Sequence, residues 1–382
     1  MITKPCAIAT RLAFFYGAAF AAVGIHLPFW PVWLEAQGLS ATEIGYVIAA
    51  GFWPRVVTNP LIAREADRLG ERRRPMALLA LMTLVSVALL SIADGFWAIL
   101  GLSLLAGTTW AAILPLGEAL ALRQTQSHQI SYGRVRAWGS ISFVLVAIGA
   151  GRWLEQTGAS VILPLLGTMV AVTALACVTL PETRDGHRPQ EPPRLLRLLR
   201  QPGVLRFIFA AGLIQVSHSV YYGFATLHWR AAGHGEAVIG WLWAEGVIAE
   251  VLLFLGAGAL LLRVSALQLL ILAGSLAAFR WCLTAASTDL LVLIVAQALH
   301  GASFGAAHLA AIHHLRDITP PEFQASAQAL YAGVGFALLF GLITPISGWL
   351  YETIGGMAFL AMAVLALLGT ALAATVPRVA AR

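Results

Sequence analysis

The chain has 382 residues, of which 59% are hydrophobic and only 11% are charged. A water-soluble domain carries about 45–50% apolar and about 25% charged residues, so this composition excludes an ordinary soluble protein. The net charge of +6 does not indicate nucleic-acid binding, because the basic residues lie in short segments between apolar runs and form no basic domain. The composition predicts an integral membrane protein whose partner is the lipid bilayer.

Apolar segments long enough to cross a bilayer, about 20 residues of helix, occur about twelve times. They are residues 12–34, 42–63, 75–93, 96–122, 137–155, 160–180, 204–228, 237–261, 266–286, 290–314, 324–350 and 356–377. The first is interpreted as a retained helix, because no small-residue cleavage site precedes its full spanning length. The predicted domains are an N-terminal six-helix bundle over 1–180, a cytoplasmic linker over 181–203 and a C-terminal six-helix bundle over 204–382.

A short internal repeat connects the two halves. The segment Ile44 to Val57 recurs 195 residues later as Ile239 to Leu252, without a gap and with five identities. Within it, Arg55 is aligned with Glu250, and Ala50 with Glu245. Repeated halves in an apolar chain are typical of secondary transporters, whose substrate sites lie near the bilayer midplane.

The loop charges predict the orientation. With both termini in the cytoplasm, the outside segments carry only Arg152 and Arg230, and nearly all other basic residues fall inside. We therefore expect a multi-pass protein of the bacterial inner membrane with cytoplasmic N- and C-termini. The aromatic residues Phe29, Trp30 and Trp33 are expected at the outer interface.

The loop after the second span carries a known pattern. Residues 63–74 read AREADRLGERRR. This resembles the loop signature of the major facilitator superfamily, Gly-x-x-x-Asp-Arg-x-Gly followed by basic residues, although Ala63 replaces the leading glycine. The resemblance implies that Asp67 caps a neighbouring helix and that Arg68 pairs across an inner gate.

Further stretches resemble the phenylpropionate permease branch of that superfamily. They are LPFW at 27–30, YGRVRAWGS at 132–140, HSVYYGF at 218–224, AEV at 249–251, FRW at 279–281, LHGASF at 299–304 and HLAA at 308–311. The resemblance implies proton-linked uptake of a small aromatic carboxylate by a protein that functions as a monomer. A nucleoside or sugar proton symporter and a drug or metabolite efflux antiporter stay open as alternatives.

Ionisable side chains within the spans are candidates for binding and coupling, because each costs about 2.5–3.5 kcal/mol at a helix centre. Glu250 and Arg280 lie at nearly the same depth on the hairpin of spans eight and nine, which predicts an ion pair that is either structural or part of proton coupling. Arg55 has no such neighbour in sequence and suits a substrate carboxylate, unless an acidic residue of another helix pairs with it. Glu245 is a further candidate for proton coupling.

Span seven carries polar residues on one face. Gln215, His218 and Tyr222 are spaced i, i+3 and i+7, and in the superfamily that this chain resembles, such a helix lines the cavity. His218 is a candidate for proton coupling, or for a hydrogen bond between helices. The predicted substrate-binding residues are these three with Arg55, Phe224 and His300.

Two further features concern gating and chemistry. Glu118, at the inner end of span four, is expected to meet Arg134 or Arg136 as a gate or a structural pair. Gly301 to Gly305 matches the Gly-x-Ser-x-Gly hydrolase elbow, but that elbow needs a strand, a turn and a helix, and a seam of small residues between helices explains it better. Neither a zinc-protease nor a nucleotide-binding motif occurs. The sequence predicts a transporter without cofactor, metal site or catalytic residues, and leaves a membrane enzyme or sensor as the alternative class.

Overall fold

In a computed structural model of the chain, the described residues are 5–181, 198, 203–320 and 323–377; the side chains of Asp67 and Ala325 lie outside this description. These ranges contain helices and no β-strand. The α-helices, numbered in chain order, are α1 (Pro5–Ala36), α2 (Ala41–Ala50), α3 (Arg55–Leu69), α4 (Arg73–Leu90), α5 (Gly95–Ala111), α6 (Ile113–Ser127), α7 (Tyr132–Thr157), α8 (Ile162–Thr179), α9 (Val204–Val216), α10 (Ser219–Ala231), α11 (Glu236–Leu261), α12 (Ala266–Ala286), α13 (Leu290–His300), α14 (Ala306–Ile318), α15 (Gln324–Leu330), α16 (Leu339–Ile354) and α17 (Ala358–Ala374).

Several of these helices follow one another end to end. Two π-helical segments, Gly301–Gly305 and Tyr331–Leu338, join α13 to α14 and α15 to α16. Only residues 51–54, 112 and 217–218 separate α2 from α3, α5 from α6 and α9 from α10. Within the described ranges the chain therefore forms twelve helical rods, six up to Thr179 and six from Val204. Ten stretches satisfy criteria of length and apolarity for crossing a membrane. The number is smaller than twelve because α2 and α3 are too short to qualify, and because residues 326–374 count as one stretch although α16 ends at Ile354.

The second rod is broken where the internal repeat predicts an uninterrupted span. Residues 51–54 form turns between α2 and α3, and the backbone N–H groups of Phe52 and Trp53 both donate to the carbonyl of Ala49. Pro54 explains the break, because it has no N–H and disfavours the helical conformation of the preceding residue. The aligned segment of the second half lies inside the continuous helix α11.

Side-chain caps fix several helix starts. Ser40 precedes α2 and forms a capping box with Glu43: its hydroxyl accepts from the Glu43 N–H at 3.3 Å, and its own N–H donates to the Glu43 carboxylate at 2.8 Å. Ser265 and Gln268 form the same arrangement before α12. These contacts satisfy N–H groups that a helix start leaves without partners.

The chain divides into two compact units. The first comprises residues 1–189 and 233–244, and the second comprises residues 190–232 and 245–382. Each unit has its own apolar core, around Phe15, Met76 and Leu120 in the first and around Phe207, Ile214 and Leu270 in the second. The sequence-based division places residues 233–244 with the second half instead, and most of the predicted linker 181–203 lies outside the described residues.

Helix α1 is central to the first unit and packs closely against α7 and α8. Gly24 allows the contact with α7, because a Cβ atom there would lie 2.9 Å from the carbonyl oxygen of Phe143. Phe29, Trp30 and Trp33 are at most 4% exposed. These rings therefore pack inside the first unit, and their position at the outer interface stays a prediction.

We expect Gly24→Ala to destabilise the first unit by about 1–3 kcal/mol, because the added methyl group meets the backbone of Phe143 and cannot be accommodated by a side-chain rotation. Gly17→Ala on the same helix is the matched control, since no heavy atom lies within 4 Å of its added Cβ atom. Thermal unfolding of the purified protein in detergent measures both. Equal melting temperatures for the two variants would contradict the close α1–α7 contact.

Candidate functional site

Three ionisable side chains from α11, α12 and α13 meet in the second unit. The Oε1 atom of Glu250 lies 2.7 Å from Nε2 of His300, and Nδ1 of the same ring lies 2.8 Å from Nη1 of Arg280. Arg280 is fully buried, whereas the side chain of Glu250 retains 22% exposure. The sequence predicts a direct ion pair between Glu250 and Arg280. The structure brings both to one site but connects them through the imidazole of His300.

One protonation state of His300 satisfies both contacts. A guanidinium can only donate hydrogen bonds, so Nδ1 of His300 must accept from Arg280. The Nε2 atom then carries the hydrogen and donates it to the Glu250 carboxylate. A doubly protonated ring would direct an N–H toward the Arg280 donor and bring two cations into contact. The geometry therefore favours a neutral His300 that donates from Nε2 to the carboxyl group of Glu250.

Further contacts hold the guanidinium of Arg280. Its Nη2 atom donates to Oε1 of Gln297 at 2.7 Å, and Nε2 of Gln297 donates to the Tyr221 hydroxyl at 2.9 Å. The guanidinium carbon lies 4.5 Å from the ring centroids of both Tyr221 and Trp281. A buried cation costs several kcal/mol unless such partners compensate it. Arg280 is thus committed to its neighbours within this unit.

His218 joins the same group of residues through Ser303. The Ser303 hydroxyl lies 3.5 Å from Nη1 of Arg280 and 3.5 Å from Nε2 of His218. The Nδ1 atom of His218 contacts the backbone carbonyl of Gln215 at 3.1 Å. Because Nδ1 donates to that carbonyl, Nε2 is left to accept from Ser303. We call Glu250, His300, Arg280, Gln297, Tyr221, Ser303 and His218 the polar network.

Small residues let the helices of the polar network approach each other. A Cβ atom at Gly301 would lie 2.5 Å from the carbonyl oxygen of Ala249, so only glycine permits this contact between the π-helical segment and α11. A Cβ atom at Gly246 would make only ordinary van der Waals contact with the His300 ring, at 3.4 Å, so the close approach depends on Gly301 and not on Gly246. The π-helix begins immediately after His300, and such bulges are frequent at functional sites. The backbone thus directs His300 onto Glu250.

The Gly-x-Ser-x-Gly match lies in this π-helical segment, not in a strand-turn-helix elbow. Ser303 is fully buried and contacts its own helix at the His300 carbonyl as well as the polar network. Gly301 and Gly305 face α11, as the interpretation as a small-residue seam predicts.

Arg55 lies in the first unit, at the start of α3. Its Nε atom donates to the Gly51 carbonyl at 2.8 Å, and its guanidinium carbon lies 4.7 Å from the Phe52 ring centroid. Among the described residues, no carboxylate lies within ion-pair distance of this guanidinium. His26 of α1 is exposed, interacts electrostatically with Arg55 and stacks on Trp30 at 5.5 Å. The guanidinium of Arg55, which has donors left unused, therefore lies near the exposed ring of His26.

Glu118 forms a second cluster in the first unit. Of the two partners that the sequence leaves open, the structure selects Arg136, whose Nε donates to Oε1 of Glu118 at 3.2 Å. The hydroxyls of Tyr16 and Tyr132 both donate to Oε2 of the same carboxylate. Arg134 is exposed and makes no described contact with Glu118. About a third of both the Glu118 and Arg136 side chains is exposed.

The other residues predicted to bind substrate lie in different surroundings in the second unit. Gln215 is buried, and its amide contacts the Phe304 carbonyl at 3.4 Å. Tyr222 packs near His218, with ring centroids 6.1 Å apart. Phe224 is fully buried and stacks on Tyr351, because two residues along a helix turn it away from the Tyr222 face; its role in substrate binding stays a prediction.

Two predicted groups of residues lie apart from the polar network. Glu245 is half-buried, and no hydrogen bond to its side chain is described. Arg68 contacts Glu65 within its own helix at 3.7 Å and is highly exposed. The side chain of Asp67 lies outside the described residues. The predicted roles of these residues in coupling and gating stay predictions.

Sequence reasoning did not identify three members of the polar network, nor His26 beside Arg55. Gln297 and Ser303 carry no charge, so the presence of ionisable residues within spans does not indicate them. The spacing i, i+3, i+7 does not indicate Tyr221, because its neighbour Tyr222 completes that pattern. His26 is itself an ionisable residue within a span, and that signal could have identified it.

Comparisons with known proteins agree with this architecture. A family model described as "MFS_1 like family" matches residues 9–361. The chain is 34% identical over 365 residues to the "Probable 3-phenylpropionic acid transporter" of Escherichia coli (strain K12), covering 93% of this chain and 94% of that protein. It is 30% identical over 361 residues to the "Maltose permease" of Geobacillus stearothermophilus, covering 90% and 88%.

Solved structures show the same fold. The nucleoside transporter NupG superposes with a TM-score of 0.79 at 16% identity, covering 96% of this chain and 98% of that one. A bacterial homologue of the lysosomal transporter Spinster gives a TM-score of 0.69 at 14% identity, with 98% and 97% coverage. The predicted all-α membrane fold of two six-helix bundles is confirmed. The relatives and the fold are those of transporters, not of enzymes.

The close approach at Gly301 is testable. We expect Gly301→Ala to separate the π-helical segment from α11 and to lower stability by about 1–3 kcal/mol, because the new methyl group meets backbone. Gly256→Ala on α11 is the control, since nothing lies within 4 Å of its Cβ position. Thermal unfolding in detergent compares them. In the Gly301→Ala background, Glu250→Gln should cost less stability than in the original protein; an unchanged cost would show that the glycine does not support the His300–Glu250 contact.

Proposed function

The chain belongs to the MFS_1-like family of the major facilitator superfamily, and from this premise we propose that it takes up a small aromatic carboxylate together with a proton, by alternating access. The observation that carries this proposal is the polar network, in which a partly exposed carboxylate is linked through a neutral imidazole to a buried guanidinium. The relative named as a probable 3-phenylpropionic acid transporter supports the substrate class.

Arg55 is the proposed partner of the substrate carboxylate. Arg280 and Arg55 differ in availability. Arg280 is fully buried and held by His300 and Gln297, whereas Arg55 is only partly buried and uses one donor for a backbone carbonyl. A guanidinium with both terminal nitrogens unused can bind a carboxylate through two parallel hydrogen bonds. The exposed His26 ring and the partly buried Phe52 ring near it supply ring surface suited to an aromatic substrate.

Glu250 is the proposed proton carrier. A proton that reaches the polar network is better placed on Glu250 than on His300, because protonating His300 would oppose two donors at a 2.8 Å contact. A neutral Glu250 retains an oxygen that accepts from His300, but the bond loses its charge-assisted strength, roughly half. Protonation would thus loosen the α11–α13 contact and make it depend on the proton gradient, which supplies about 2.3 kcal/mol per charge per 100 mV.

The remaining parts of the proposal follow from the family and from the loop charges. The protein would lie in a bacterial inner membrane with both termini in the cytoplasm, as the basic loops indicate. It would act as a monomer and would need no cofactor, because the proton gradient supplies the free energy.

Arg55→Lys should weaken the binding of 3-phenylpropionate about tenfold, since lysine keeps the charge but cannot form two parallel hydrogen bonds. The uncharged 3-phenylpropionamide should bind the original protein weakly and should not respond to this substitution. Binding to purified protein, measured by calorimetry or by ligand-dependent thermal stabilisation, tests both expectations.

Arg152→Lys is the matched control, because Arg152 is exposed and the same change of side chain there leaves Arg55 intact. Equal affinity of the original protein for the acid and the amide would rule out a carboxylate site at Arg55.

Glu250→Gln mimics the protonated carboxyl group permanently. We expect it to abolish uphill accumulation driven by a proton gradient while leaving counterflow exchange, because exchange needs no net proton movement. Uptake into proteoliposomes with and without an imposed gradient measures the two modes. Glu245→Gln and His218→Gln are the comparators: if one of these abolishes accumulation while Glu250→Gln retains it, the proton carrier is that residue and not Glu250.

A sugar or nucleoside symporter is the second candidate. The Glu118–Arg136 pair favours it, because a partly exposed carboxylate and guanidinium beside the Tyr16 and Phe20 rings could bind hydroxyl groups and stack on a sugar. The relative named as a maltose permease is consistent with this reading. Accumulation of a labelled disaccharide or nucleoside, lost in Glu118→Gln but retained in Arg55→Lys, would favour this candidate over the aromatic acid.

A further inference from the structure

A cavity of about 420 Å³ opens on the first unit where α1, α4 and α8 meet. Its lining residues are Thr10, Arg11, Phe14, Arg73, Val178 and Thr179. None of them is acidic, and two are arginines. The cavity takes no part in the proposed transport reaction, because it contains neither Arg55 nor Glu118 and lies in the other unit from the polar network. Its volume is within the range of about 300–1,000 Å³ typical of small-molecule sites.

The lining residues are arranged in layers along the helices. Arg11 lies one helical turn from Phe14, which is nearer the middle of α1 by about 4.5 Å. Phe14 and Val178 are exposed, at 39% and 57%, although both are apolar. The two cations therefore border a cavity whose deeper rim is apolar and open to the bilayer. A molecule with an anionic head and a hydrocarbon tail has the matching order of groups.

The backbone adds a further positive element. Arg73 is the first residue of α4, where the helix dipole is positive. Arg72, at the N-cap position, supplies no side-chain hydrogen bond to this helix end. Phosphate groups bind readily at such positions, and because Pro75 has no N–H, this helix start offers the N–H groups of Arg73 and Arg74. Arg11, which makes no contact among those described for its side chain, provides the second charge from α1.

We propose that this cavity binds the phosphate headgroup of an anionic phospholipid from the cytoplasmic leaflet, with the acyl chains along Phe14 and Val178. The predicted orientation puts the start of α1, the start of α4 and the end of α8 on the cytoplasmic side, where anionic lipids meet basic clusters. Arg11 and Arg73 hold the phosphate, and the hydroxyls of Thr10 and Thr179 lie at the edge of the site. The lipid would thereby tie three helices of the first unit together at their cytoplasmic ends.

The test is lipid retention by the purified full-length chain in native mass spectrometry. The protein is titrated with phosphatidylglycerol and, separately, with zwitterionic phosphatidylethanolamine. We expect one phosphatidylglycerol to bind in preference to phosphatidylethanolamine, and Arg11→Gln with Arg73→Gln to reduce that preference by about 25-fold, at roughly fivefold for each arginine near an anionic surface. The control is Arg64→Gln with Arg263→Gln, which removes the same charge from two exposed arginines outside the cavity. Its preference should not change.

Three outcomes would overturn the proposal. Equal retention of the two lipids removes the basis for a phosphate-selective site. An equal loss in the control pair means that overall charge, not the cavity, attracts the lipid. Competition by inorganic phosphate at concentrations similar to the lipid means that a free anion is the ligand. If the double variant does not fold, Arg11→Gln alone decides, since Arg11 is exposed, and the expected loss is then about fivefold.

Discussion

The burial of the Arg280 guanidinium is the constraint on which the second unit depends. A cation without exposed surface inside membrane helices must have its donors satisfied locally, because neither water nor lipid can do so. Gln297, His300 and the faces of Tyr221 and Trp281 meet that requirement at the two terminal nitrogens, while the buried Nε has no hydrogen-bond partner among the described residues. Each of these partners must then be held in place itself, which fixes the tautomer of His300 and directs its other nitrogen toward Glu250. The need to compensate the buried guanidinium thus produces an ordered chain of hydrogen bonds.

Backbone geometry makes this chain possible. In a membrane, helices gain little from apolar contact with one another, so they associate where small residues let backbones approach. Gly301 against the backbone of Ala249 is such a place, and the π-helix begins directly after His300. The polar network and the small-residue seam are therefore one construction: the seam sets the distance at which His300 can bridge two charged residues.

The sequence predicts depth along a helix better than direction around it. Hydropathy locates the helical rods, and the depth of Glu250 and Arg280 brings both to one site. The intervening His300 could not be predicted, because a contact between three helices depends on their rotations, which no local pattern contains. The same limit explains Phe224, whose position beside Tyr222 in sequence puts it on another face. Pro54 is the opposite case: a local cause broke a span that hydropathy and the repeat both treat as continuous.

The break before Arg55 explains how the two copies of the internal repeat differ. Arg55 and Glu250 occupy aligned positions, yet one begins a new helix after a turn and the other lies within a continuous helix. The turn frees backbone carbonyls, and the Arg55 Nε donates to one of them, which orients the rest of the guanidinium without a carboxylate partner. The continuous helix instead presents Glu250 to a neighbouring imidazole. Coupled uptake of an acid requires one fixed cation and one anion that can take up a proton, and under the proposed function a single duplicated position has diverged to provide both.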